Sequence, residues 1–130
     1  MKHILIFVGT RPEVIKMAPV VHALRNEGRF DVHLCSTGQH QEMLMQALKD
    51  FDLVPDVHLR VMTKDQTLAS LSARLFQVID ELLVHFHPDL VLVQGDTTTV
   101  QVASLCSFYR QIPLGHVEAG LRTQTVFSPF

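Results

Sequence analysis

Two stretches of the chain, Ile4 to Val8 and Leu90 to Val93, run without a polar residue. A strand with one wet face alternates with a period of two. An unbroken Val/Ile/Leu run instead fits a strand buried on both faces, as in a parallel sheet. The first strand begins at His3, and Phe30 to Cys35 reads as another, closed by Ser36-Thr37-Gly38. Val57-His58-Leu59 is a brief strand, flanked by Pro55 and a polar turn at Thr63-Lys64-Asp65, and Leu114 to Glu118 is the last. Between the strands the period changes to that of a helix. Val14, Ile15, Ala18, Val21 and Leu24 mark one face up to a stop at Gly28. Met43, Leu44, Ala47 and Leu48 mark a second within Gln39 to Phe51, and Leu68, Leu71, Leu75, Val78 and Leu82 mark a third from Thr67. Thr98 to Arg110 is a fourth helix. Pro19 lies inside the first and is expected to kink it near Ile15, because it removes one hydrogen bond and crowds the preceding turn. The order βαβαβαβαβ predicts an α/β domain: a parallel sheet with right-handed crossovers and helices on both faces.

Composition narrows this picture. The chain has 130 residues, 47% hydrophobic and 18% charged, which suits one globular domain over residues 1–130 and excludes a disordered chain. A net charge of −2 and a pI near 6.4, with the eleven Lys and Arg scattered, leave no electrostatic footprint for nucleic acid or an anionic membrane. Ile4 to Val8 is too short for a signal-peptide core or a membrane span, and Gly9-Thr10-Arg11-Pro12 ends it. Cys35 and Cys106 form no C-x-x-C pair and read as buried reduced thiols of a cytoplasmic protein.

Candidate chemistry gathers where strands end. Gly95 lets the chain turn sharply after Leu90 to Val93, Asp96 stands at that turn, and the threonines from Thr97 can cap a new helix. Gly9-Thr10-Arg11-Pro12-Glu13 is a second strand-to-helix turn. Pro12 suits the first helical turn and Glu13 complements the positive helix end. Backbone N–H groups and Arg11 could hold phosphate there, with Lys16 one turn on; an ordinary loop with solvated charges is the alternative. Neither G-x-G-x-x-G nor G-x-x-x-x-G-K-[ST] occurs. Asp96 and Glu118 each follow a predicted strand, so parallel strands would bring both carboxylates to one sheet edge, where ligands of open α/β sheets bind. Two acids in one cleft can divide proton donation from abstraction. A helix cap for Asp96 and a salt bridge to Arg122 for Glu118 are the plainer readings.

Eight histidines raise the question of a metal. His85-Phe86-His87 precedes Pro88 in a predicted loop with no Cys or acid beside it, and His3, His22, His33 and His58 read as surface residues. No ligand set emerges, so the expectation is no metal. His40, after Thr37-Gly38-Gln39, and His116, close to Glu118, are better placed for ligand contacts. Ser36, Ser104 and Ser107 lack the G-x-S-x-G elbow of a serine hydrolase.

Gly9-Thr10-Arg11-Pro12-Glu13-Val14-Ile15-Lys16-Met17-Ala18-Pro19 closely resembles the opening signature of non-hydrolysing UDP-N-acetylglucosamine 2-epimerases. Thr37-Gly38-Gln39-His40, Gln94-Gly95-Asp96-Thr97-Thr98-Thr99 and His116-Val117-Glu118-Ala119-Gly120-Leu121-Arg122-Thr123 are similar to later signatures of that family, in the same order. The resemblance implies the first of two Rossmann-like domains of a GT-B-type fold, a three-layer α/β/α unit, with the active site between the two. The chain stops after Ser128-Pro129-Phe130, where family members continue into a Pro-Glu-Glu segment bearing another catalytic glutamate. A functional histidine and most uridine contacts belong to the second domain, so this chain alone is expected to be inactive or nearly so.

The implied reaction interconverts UDP-GlcNAc and UDP-ManNAc by inversion at C2, for cell-envelope polysaccharide synthesis. UDP is eliminated as the C2 proton is removed, and it adds back to a 2-acetamidoglucal with the proton delivered to the opposite face. By resemblance, Asp96 and Glu118 are catalytic, Arg11 and Lys16 line the diphosphate, and His116 and Arg122 belong to the substrate site. Some members bind a second UDP-GlcNAc as an activator, and Gln39 and His40 match part of that regulatory pocket. Glu42 and Asp65 stand where some regulated members carry Gln and Arg. The resemblance implies no cofactor and a homodimeric parent. Two rivals remain: a stand-alone phosphate-binding or receiver-like regulatory module, and a GT-B glycosyltransferase domain. A receiver should carry paired acids after its first strand, where Gly9-Thr10-Arg11 stands here.

Overall fold

A computed structural model of the chain describes residues 1–38, 41–61 and 65–117. Its elements alternate as β1 (Lys2–Val8), α1 (Arg11–Glu27), β2 (Phe30–Ser36), α2 (Gln41–Asp50), β3 (Val57–His58), α3 (Leu68–Phe86), β4 (Leu90–Gln94), α4 (Thr98–Tyr109) and β5 (Leu114–Val117). All strand pairs are parallel, in the order β3-β2-β1-β4-β5. The parallel sheet with helices on both faces is what the hydrophobic pattern predicts, and its form is the Rossmann-like α/β/α unit that the resemblance implies.

The continuous apolar runs are explained by cores on both faces of the sheet. Leu5, Phe7, Cys35, Val91 and Val93 point toward α3 and α4 and pack with Leu75, Ile79, Leu83 and Ala103. Ile4, Ile6, Val8, Val32 and Leu34 point the other way, onto Val14, Met17 and Val21 of α1 and Leu44 and Leu48 of α2. Both cysteines are buried and free, and burial raises both thiol pKa values, that of Cys106 to about 11. Neither thiol is poised as a nucleophile. Among the described residues, no helix is long and apolar enough to cross a membrane.

Several residues face otherwise than their spacing predicted. Ile15 is exposed while Met17 is fully buried. On α2 Met43 lies outside the core, and on α3 Leu68 is 68% exposed while Ile79 and Leu83 are buried. A 3.6-residue period defines a stripe, but which neighbouring residues complete it depends on what the helix packs against. His85 and Phe86 belong to the last turn of α3 and not to a loop; His87 ends the helix in the left-handed region (φ 47°), ahead of Pro88. α1 runs unbroken through Pro19. Of the predicted turn at Thr63-Lys64-Asp65, only Asp65 lies within the described residues.

Candidate functional site

The strand order reverses between β1 and β4: β2 follows on one side of β1, and β5 on the far side of β4. The connections leaving these two strands therefore go to opposite faces of the sheet and open a crevice at its carboxyl edge. The pairing Ile4↔Leu90, Leu5↔Val91 and Ile6↔Leu92 carries both strands to that edge together. The Gly9-to-Pro12 turn and the Gly95-to-Thr97 turn thus meet side by side, each feeding a helix N-terminus.

Local sequence explains both turns. Thr10 caps α1, its hydroxyl accepting from the Glu13 N–H at 3.4 Å. Thr97 caps α4, accepting from the Val100 N–H at 3.5 Å. Gly95 takes φ +83°, a left-handed conformation that side chains resist. Gly9 is required by space: a Cβ there would stand 2.8 Å from the Thr37 hydroxyl oxygen. That hydroxyl is hydrogen-bonded to the Thr99 hydroxyl at 3.1 Å, so a buried polar contact joins the connections that follow β2 and β4.

Between them lies a cleft of about 410 Å³. Gly9 to Pro12 and Thr97 to Thr99 form its polar wall, and Leu68, Leu71 and Leu75 of α3 an apolar one. Two helix N-termini carry partial positive charge and unsatisfied N–H groups, and Arg11 adds a full charge. This wall can hold an anion, and a phosphate in particular.

The structure brings together part of the predicted set. Arg11 lines the cleft, and the exposed Asp96 lies in the adjoining turn. His116 sits on β5 opposite Val93, and its Nε2–H donates to the Gly95 carbonyl at 2.6 Å, next to Asp96. A carbonyl only accepts, so Nε2 carries a proton in this contact. Lys16 is exposed on α1, outside the cleft lining. Glu118, Arg122, Gln39 and His40 lie outside the described residues.

Glu13 stands at the positive end of α1, where a solvated charge is expected, but it is buried, 3% exposed. Its Oε1 accepts from the Gly9 N–H at 2.7 Å, and Oε2 is buried with no hydrogen-bond partner among the described residues. Burial raises its pKa, opposed in part by the Gly9 amide and the Thr97 and Thr10 hydroxyls. The signal was present: Thr10-Arg11-Pro12-Glu13 is a T-x-x-E capping box, here reaching back to Gly9.

The model of the UDP-N-acetylglucosamine 2-epimerase family matches residues 22–130. The UDP-N-acetylglucosamine 2-epimerase of Escherichia coli (strain K12) is 51% identical over all 130 residues, which span 34% of its length. The chain is thus about a third as long as the curated relatives it matches. The crystal structure of UDP-GlcNAc 2-epimerase from Neisseria meningitidis bound to UDP-GlcNAc superposes with a TM-score of 0.89 at 45% identity, over 100% of this chain and 35% of that one. That from Methanocaldococcus jannaschii, in complex with UDP-GlcNAc and UDP, gives 0.84 at 34% identity, over 94% and 33%.

Proposed function

The chain belongs to the UDP-N-acetylglucosamine 2-epimerase family, and from that premise we propose that it forms the N-terminal, diphosphate-binding wall of an enzyme that interconverts UDP-GlcNAc and UDP-ManNAc. The observation that carries this reading is the reversal of strand order between β1 and β4, which sets the Arg11 turn beside the Asp96 turn. A nucleotide-sugar diphosphate fits against the α1 and α4 N-termini and Arg11, and Lys16, one turn along α1 and outside the cleft lining, is assigned to the same diphosphate. The sugar then projects toward Asp96. Epimerisation through elimination needs a base on one face of C2 and an acid on the other, and Asp96 and Glu118 are assigned those parts. His116 and Arg122 complete the substrate contacts, and Gln39 and His40 belong to a regulatory UDP-GlcNAc pocket. The second wall comes from the remaining two-thirds of a full-length enzyme. No metal or cofactor takes part in this scheme.

Elimination and re-addition leave an isotopic mark. An enzyme carrying this chain as its N-terminal part, given UDP-GlcNAc in heavy water, incorporates deuterium at C2, read by mass spectrometry. Asp96→Asn slows incorporation by about 10²–10⁴-fold, the usual contribution of a general acid or base. Epimerised product with its C2 hydrogen intact would overturn the mechanism, and unchanged turnover in Asp96→Asn would remove that residue from it.

A further inference from the structure

The opposite, amino edge of the sheet carries a second cluster, built from residues far apart in sequence. His3 pairs with Asp31 across β1 and β2, and His33 follows Asp31 by two residues on the same face. The His3 Nδ1 lies 3.0 Å from Asp31 Oδ2, and the His33 Nε2 lies 3.1 Å from the same oxygen. All three atoms fall within 4.8 Å of one another. From this convergence we propose that His3, Asp31 and His33 form a binding site for a divalent transition ion of the Zn²⁺ class.

The spacing fits coordination. Metal–nitrogen and metal–oxygen bonds of about 2.0–2.2 Å put neighbouring ligand atoms about 3–3.5 Å apart. Two imidazoles and one carboxylate select zinc, cobalt, nickel or copper over magnesium and calcium, which prefer all-oxygen sets. The ligands are also held in place. Asp89 grips the His3 backbone from both sides: its carboxylate accepts from the His3 N–H at 2.7 Å, and its own N–H donates to the His3 carbonyl at 2.8 Å. The Phe86 ring from α3 packs against His33 with centroids 4.9 Å apart, and the two imidazoles stack at 6.3 Å. Sheet register thus sets the backbones, and α3 backs one ring. The side chains remain 47%, 43% and 26% exposed for His3, Asp31 and His33, so an ion can enter from solvent and keep water as its further ligand. At roughly 3.3 Å per residue, the six steps from His3 to Gly9 at the carboxyl-edge cleft span about 20 Å, so this site is independent of the nucleotide-sugar site.

The test uses the full chain, freed of metal by a chelator and held at a fixed pH above the imidazole range. Zn²⁺ is titrated by calorimetry and Co²⁺ by visible absorption. One ion per chain is expected. His3→Gln and His33→Gln should each weaken binding by at least about tenfold, since even second-shell partners are worth about 10–100-fold. The double variant should not bind, while a His85→Gln/His87→Gln variant should bind like the parent. Absence of saturable binding by the parent would overturn the site. So would undiminished binding by the His3/His33 double variant, or binding lost only with His85 and His87. Should a variant unfold by circular dichroism, amide NMR of the parent decides: Zn²⁺-induced shifts must centre on residues 3, 31 and 33.

Discussion

A carboxylate shut away from water behaves differently from the same group at a solvated helix end, and Glu13 shows how much hangs on one side chain. Its Oε1 anchors Gly9 while Oε2 is buried with no hydrogen-bond partner among the described residues, and burial outweighs the Gly9, Thr97 and Thr10 contacts. Burial holds its pKa above the ordinary value of 4.5, so the native state binds this proton more tightly than the unfolded chain does. The resulting stability is fully present below that ordinary value and is lost as pH rises through the folded pKa. Glu13→Gln keeps an acceptor for Gly9 and carries no charge. Relative to the parent it should gain stability steadily as pH rises from the acid range to neutrality. Urea unfolding across pH measures this, and parallel profiles for the two proteins would refute it. The capping box Thr10-Arg11-Pro12-Glu13 was legible in the sequence. The burial of its glutamate was not, because its environment includes Thr97, whose hydroxyl faces the carboxylate and arrives from the turn after β4.

At the scale of elements, the alternation of strands and helices was readable because each run carries its own period. Orientation was harder. The α3 stripe read from Leu68 to Leu82 has its middle right, since Leu71 and Leu75 are buried, but the first residue faces solvent and the deep contacts pass to Ile79 and Leu83. Leu83→Ala should therefore cost about 2–5 kcal/mol, as a buried leucine that leaves a cavity. Leu68→Ala should stay within about 0.5 kcal/mol of the parent, as an exposed change does. Equal losses in chemical denaturation would show that the helix packs on a different face. The loops were more legible than the helix faces. Gly95 and the Thr97 cap have conformational requirements that only a few residue types meet, so residue identity alone pointed to them.

Across the whole molecule, sheet order decides which turns become neighbours. The cleft presents one wall of helix N-termini, threonines and Arg11, and the curated relatives are about three times as long as this chain. The 130-residue chain by itself should therefore leave the C2 hydrogen of UDP-GlcNAc unexchanged in heavy water, with a folded circular-dichroism spectrum. Deuterium incorporation that disappears in Asp96→Asn would mean that this wall is a working site on its own.

The sequence by itself determined the order of elements, the doubly covered strands, the two strand-to-helix turns and, through four ordered signatures, the family. These are properties of short segments: hydrophobic period, capping residues and turn residues act within a few positions of one another. Tertiary structure alone decided that β1 lies between β2 and β4, that Glu13 is sealed beneath its own loop, and that Asp31 stands between His3 and His33. No local pattern specifies these contacts. They follow from strand pairing and register, in which residues 28 and 86 positions apart, such as His3 with Asp31 and His3 with Asp89, become neighbours only when the sheet closes.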